Sequence, residues 1–118
     1  MKTILFVFIG GGLGSIFRWW ISRLFPFEKS IFPYATLLSN AIASLVLAFV
    51  IFQLKEHPKW TSIQPFLIVG FCGGLSTFST FSYENFQLLQ QGQLAIFGFN
   101  IFVSLTIGLL AFWFLARL

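Results

Sequence analysis

The sequence contains no aspartate, and its only acids are Glu28, Glu56 and Glu84. Histidine and cysteine occur once each, as His57 and Cys72. Each scarcity excludes something. A single cysteine cannot close an intrachain disulfide, and neither residue belongs to a metal-ligand spacing. Cys72 reads as a small apolar packing residue. No nucleophile–base set and no phosphate-binding loop is present, and Gly10-x-Gly12 precedes no βαβ unit, so it is no dinucleotide fingerprint. An enzyme is not expected. Charge of either sign is also scarce, at 8% of residues, where an ordinary soluble domain carries about 25%. The net charge of +4 comes from Lys2, Arg18, Arg23, Lys29, Lys55, Lys59 and Arg117. These are scattered, so they form no footprint for nucleic acid. Most fall near the ends of apolar runs, where cations meet lipid headgroups.

Apolar residues are what is abundant, at 58% of 118 residues. A soluble chain this short has too much surface to hide that material, whereas a bilayer solvates it directly. A helix needs roughly 20 apolar residues to cross a hydrocarbon core of about 30 Å. Four such spans fit, at about 3–22, 34–54, 63–89 and 94–115, forming a single membrane domain over 1–118. The expected fold class is therefore all-α integral membrane. Proline and charge at Pro26, Glu28, Lys29 and Pro33 mark the first turn. Lys55-Glu56-His57-Pro58-Lys59 is an aqueous loop, and Gln90-Gln91-Gly92-Gln93 closes the third span. Lys2 and the apolar run after it resemble a signal peptide, but no small-residue cleavage pattern precedes Arg18. The first span is read as retained.

With four spans, both termini and the middle loop share one side of the membrane. That side holds four cations: Lys2, Lys55, Lys59 and Arg117. The other side holds two, Arg23 and Lys29, or three with Arg18. Cytoplasmic loops normally show a clear excess. So weak a bias suits a chain that inserts both ways and pairs with its own inverted copy.

Polar residues at helical spacing within a span point to an interior face. The second span carries Thr36, Asn40 and Ser44 at i, i+4 and i+8, beside a small-residue stripe of Ala35, Ser39 and Ala43. The fourth repeats the theme with Asn100, Ser104 and Gly108. Two readings stand: these side chains glue helices together, or they line a polar path. The third span, from Gly70 to Glu84, places three glycines and five Ser/Thr residues inside an apolar segment. Glycine costs a helix about 1 kcal/mol relative to alanine, and Ser and Thr compete for backbone hydrogen bonds. A broken helix near Gly73 to Thr77 is expected. Carbonyls freed there need water, another helix or a cation. Beyond it, Phe78 and Phe81 share a face at i, i+3. A phenylalanine ring has an electropositive edge, so such rings can serve an anion. With 18 phenylalanines in the chain, a lipid-facing or packing role is the competing reading.

The run Gly70-Phe71-Cys72-Gly73-Gly74-Leu75-Ser76-Thr77-Phe78-Ser79-Thr80-Phe81 resembles the pattern G-F-x-G-G-x-S/T-T-F-S-T-F of the Fluc (CrcB) family of small fluoride channels. Gly11-Gly12-Leu13-Gly14 with Arg18-Trp19 is similar to its G-G-x-G-x-x-x-R-Y/W, and Ala35 to Ser44 follows G-T-L-x-V-N-x-x-G-S. The resemblance covers essentially the whole chain. It implies an antiparallel, dual-topology homodimer in the plasma (inner) membrane, passing fluoride along its subunit interfaces. It implies Phe78 and Phe81 as paired pore phenylalanines and Asn40 as the pore asparagine. Ser104 joins them from the fourth span, with Thr77, Thr80 and Arg18 on the same path. Gly73 and Ser76 would offer backbone carbonyls to a structural sodium ion, and Glu84 would stand at the vestibule. Arg18 has a rival role as an interfacial anchor. Ala35 and Ala43 depart from the motif's glycines, Ser39 from its valine, and Asn100 takes a place often held by tyrosine. A proton-coupled multidrug exporter is the rival transporter, but it needs a carboxylate in the first span, which has none. A structural subunit without transport would leave the Gly/Ser/Thr/Phe run without a reason.

Overall fold

A computed structural model describes residues 1–54 and 56–118; Lys55 of the middle loop lies outside the described residues. Every regular element among them is helical. α1 (Lys2–Leu24) stops where Phe25 leaves helical geometry ahead of Pro26, and a single 3₁₀ turn, Phe27–Lys29, follows. α2 (Tyr34–Gln53) starts directly after Pro33. The middle loop holds another 3₁₀ turn, Pro58–Trp60. The third span is built in two pieces. α3 (65–75) is wound as a π-helix over Pro65–Cys72 and as an α-helix over Gly73–Leu75. Pro65 sits at its first turn, where a missing N–H costs nothing. Ser76 (ψ 154°) and Thr77 (φ −152°, ψ 118°) are extended, and α4 (Phe78–Gln90) then begins. Gly92, at φ 72°, turns the chain into α5 (Leu94–Leu115).

All four spans are long and apolar enough to cross a membrane, counting the third as Pro65–Gln90. The molecule is a multi-pass membrane protein. Its large apolar side chains point outward, from Ile4 and Phe8 in α1 to Trp113 and Phe114 in α5. Much of its interior is small or polar: Ala35, Ala43, Cys72, Thr36, Ser39, Asn85 and Asn100 are buried, alongside the larger Ile21, Val50, Leu75 and Leu88. That inversion suits lipid, where helices gain from close packing and hydrogen bonds rather than from hiding apolar surface.

The tightest packing is between α1 and α3. Gly10 and Gly14 on one helix meet Gly70 and Gly74 on the other, each pair four residues apart and so on one face. A methyl group at Gly70 would lie 2.9 Å from the Val7 carbonyl and 3.0 Å from the Gly10 Cα. At Gly14 it would strike the Phe71 carbonyl and come within 2.9 Å of the Leu75 nitrogen. Only hydrogen fits at this contact. Ile21, Ala35, Ala43, Cys72 and Leu75 then form a core joining α1, α2 and α3. The α1–α3 contact holds the end of α3 rigidly in place, and that end is where the third span breaks.

Candidate functional site

The break is made by one side chain. A continuous helix would pair the Thr77 amide with the Gly73 carbonyl, but this amide donates to Asn40 Oδ1 at 2.7 Å. The amide of Asn40 donates in turn to the Thr77 carbonyl at 3.4 Å. Asn40 thus replaces a turn of helix, clasping both backbone groups of Thr77 from α2. One of its two Nδ2 protons is left over. The hydroxyl oxygen of Thr77 accepts from the Thr80 amide at 3.2 Å, capping α4. Gly73 and Gly74 remain helical, so the interruption lies just after the glycines.

Two consequences follow for electrostatics at mid-span. The N-terminus of α4 carries the positive end of a helix dipole and unpaired amides, an arrangement favourable to anions. The C-terminus of α3 carries free carbonyls, favourable to cations. The Gly73 carbonyl has lost the amide of Thr77, while that of Gly74 accepts from Arg18 Nε at 3.1 Å.

Apart from Gly73, which lines neither, the site residues expected from the sequence fall into two places. Asn40, Ser44, Ser76, Thr77, Phe78, Phe81 and Ser104 line a groove of about 320 Å³ on the outer face. There the Phe78 and Phe81 rings lie 6.4 Å apart, tilted by 36°. Arg18, Thr80 and Glu84 instead line a separate cavity with Ser15, Thr36 and Ser39, and Thr77 borders both spaces. This cavity shares Trp19, Thr80 and Glu84 with a wider one of about 710 Å³, which includes Arg23, Glu28 and Lys29. The polar stripe of α2 therefore splits: Thr36 serves the cavity, and Asn40 and Ser44 serve the groove. Glu84 is buried and accepts from the Thr36 hydroxyl at 2.8 Å. Its Oε2 has no hydrogen-bond partner among the described residues.

The profile of the family described as CrcB-like protein, Camphor Resistance (CrcB), matches residues 5–115. The chain belongs to the CrcB family. Among its curated relatives is a protein of Pyrococcus abyssi named fluoride-specific ion channel FluC. The two are 46% identical over 95% of this chain and 94% of that one. Proteins of the same name from Flavobacterium psychrophilum and Methanococcus maripaludis are 42% and 37% identical, over 96% and 100% of this chain and 93% and 95% of theirs. These relatives are named as channels, not as enzymes. Ala35 and Ala43, which stand where the CrcB motif has glycines, are buried in the core. Asn100 is 1% exposed and is not among the groove's lining residues. It donates to Asn85 Oδ1 at 3.0 Å. Reading the sequence missed Asn85, whose partner lies fifteen residues away across a turn with no periodicity to link them. The N-cap formed by Thr77 was also missed, although Thr77-x-x-Thr80 places a capping side chain three residues ahead of its amide.

Proposed function

We propose that the chain is one subunit of a fluoride-selective channel that exports cytoplasmic fluoride by passive conduction. The observation that carries this reading is the groove at the break. It brings together the spare amide proton of Asn40, the N-terminus of α4 and the rings of Phe78 and Phe81, with no acid in its lining. The naming of the relatives as fluoride-specific channels supports the choice of anion. Fluoride is small and strongly hydrated, so a pore has to replace water's hydrogen bonds while binding loosely enough to release the ion. Several modest donors and ring edges spread along a groove meet both demands. Passive conduction is supported by the placement of Glu84, the only acid in the four spans, in the other cavity with Thr36 on its carboxylate.

The functional unit in this reading is an antiparallel homodimer with a pore along each side of the interface. A subunit with extents of 50 × 32 × 19 Å is about two helices thick and cannot surround an ion path by itself. Phe78 is 81% exposed, and the hydroxyl residues Ser79 and Ser82 are exposed near mid-span, where lipid is a poor neighbour. Gly73 is exposed, and a Cβ built on it meets no atom of its own subunit within 4 Å. A second backbone can therefore approach there. The released Gly73 carbonyl and the carbonyl of extended Ser76, duplicated by an inverted copy, give four oxygens, a donor set that fits sodium. When bound, the ion supplies a fixed positive charge at the centre of the dimer.

Fluoride efflux from liposomes containing only the purified protein tests the reading. The expected result is efflux driven by membrane potential, indifferent to a pH gradient, with chloride passing poorly. Replacing sodium with a large organic cation is expected to weaken the dimer or its flux. Absence of fluoride efflux from well-folded protein overturns the function. Indifference to sodium removes the cation site alone.

A further inference from the structure

Behind the groove lies a chain of side-chain hydrogen bonds that the pore reading does not use. Asn85, in α4, donates from Nδ2 to the Phe81 carbonyl at 2.8 Å. Asn100, in α5, donates from Nδ2 to Asn85 Oδ1 at 3.0 Å. Ser104 donates its hydroxyl to Asn100 Oδ1 at 3.4 Å. The direction of every link is forced. A carbonyl can only accept, so Asn85 has to face Phe81 with its NH₂ group, and this turns its oxygen towards Asn100. Asn100 can meet that oxygen only with its own NH₂ group, which turns its oxygen towards Ser104. Asn85 and Asn100 are 5% and 1% exposed, so water does not offer either amide another partner.

A serine hydroxyl has one proton. While that proton is on Asn100, Ser104 presents only lone pairs to the groove, and lone pairs repel an anion. We infer that the Asn85–Asn100 pair is a positioning device that holds the Ser104 proton away from the groove until an anion strong enough to draw it round arrives. The inference rests on the fluoride reading above and adds to it a cost that an entering anion has to overcome. At 3.4 Å the Ser104–Asn100 bond is long and weak, so turning the hydroxyl costs little. Fluoride, the strongest hydrogen-bond acceptor among the halides, recovers that cost, and chloride recovers less of it.

A double-mutant cycle on fluoride efflux tests the pair. Asn100→Leu keeps the side chain's branched shape but removes the acceptor, leaving the Ser104 hydroxyl free to face the groove. The half-saturating fluoride concentration is expected to fall about threefold, the worth of one weak neutral hydrogen bond. Ser104→Ala should then raise the half-saturating concentration about threefold more in the Asn100→Leu background than in the native one. Asn85→Leu releases the Asn100 amide to turn over and is expected to give the same pattern. It also covers the case in which Asn100→Leu fails to fold. Equal Ser104→Ala penalties in all backgrounds, in a native protein that conducts fluoride, overturn the relay alone. A native protein that carries no fluoride overturns the relay and the channel reading together.

Discussion

At the scale of single residues, the groove separates side chains that hold the fold from those free to meet an ion. Asn40 does both, with its oxygen and one proton spent on Thr77 and one proton unspent. Phe78 does only the second. It is 81% exposed and supports little of its own subunit, so its ring can be changed without undoing the fold. Isoleucine keeps the apolar bulk of phenylalanine but has no electropositive edge. A favourable contact with a ring edge is worth about 0.5–1.5 kcal/mol, up to roughly tenfold in rate per ring. Phe78→Ile and Phe81→Ile, made separately, are each expected to reduce fluoride flux by about twofold to tenfold, and Phe78→Ile should leave thermal stability nearly unchanged. Normal flux through both variants, measured on folded dimers, would remove the rings from the mechanism. The importance of this pair was legible in the sequence only through the motif around it. Composition alone, with 18 phenylalanines, does not single out two of them.

At the scale of helices, the four apolar runs were fully legible, because hydropathy is local and a bilayer leaves few alternatives. Which helices touch was not. The small-residue stripe of α2 stood out, yet the closest approach is between α1 and α3, at glycines whose spacing is visible in each span separately. Nothing local states that Gly10 and Gly14 face Gly70 and Gly74. The break shows the same division. Three glycines mark the region as weak, but Gly73 and Gly74 stay helical, Gly74 packed against α1. The chain leaves the helix at Ser76 because Asn40, 37 residues earlier, takes the Thr77 amide. The glycine contact carries its own prediction. A methyl group at Gly10 or Gly14 meets backbone that cannot move aside, and overpacking of this kind costs about 1–3 kcal/mol. Gly10→Ala and Gly14→Ala are expected to lower thermal stability in detergent clearly. Gly12→Ala, where the added Cβ meets nothing within 4 Å, should be neutral or raise stability by about 1 kcal/mol through helix propensity. A uniform response at all three positions would mean that the α1–α3 contact does not matter.

At the scale of the whole molecule, the orientation in the membrane is the feature with the least local support, and the ends of the helices explain why. The guanidinium of Arg23 lies 5.9 Å from the centre of the Trp19 ring at one end of α1. That of Arg117 lies 3.9 Å from the centre of the Trp113 ring at the end of α5. Arg23 follows one span and Arg117 follows four, so these cation–aromatic anchors sit at opposite faces of the bilayer. Each face thus has an anchor of the same kind, and the loop cations divide four against two or three. Neither term favours one orientation strongly, and a chain without a strong preference is expected to populate both. Lys59 is exposed in the middle loop, and Cys72 is the only native thiol and is buried. Lys59→Cys in a Cys72→Ser background therefore gives a single accessible label site. A membrane-impermeant maleimide is expected to modify about half of the molecules in intact cells, and the remainder only after the membrane is opened. If every molecule reacts from one side, the copies share one orientation. The groove and the Gly73 face would then need a parallel partner, and an inverted pair could not supply the four carbonyl oxygens proposed for sodium.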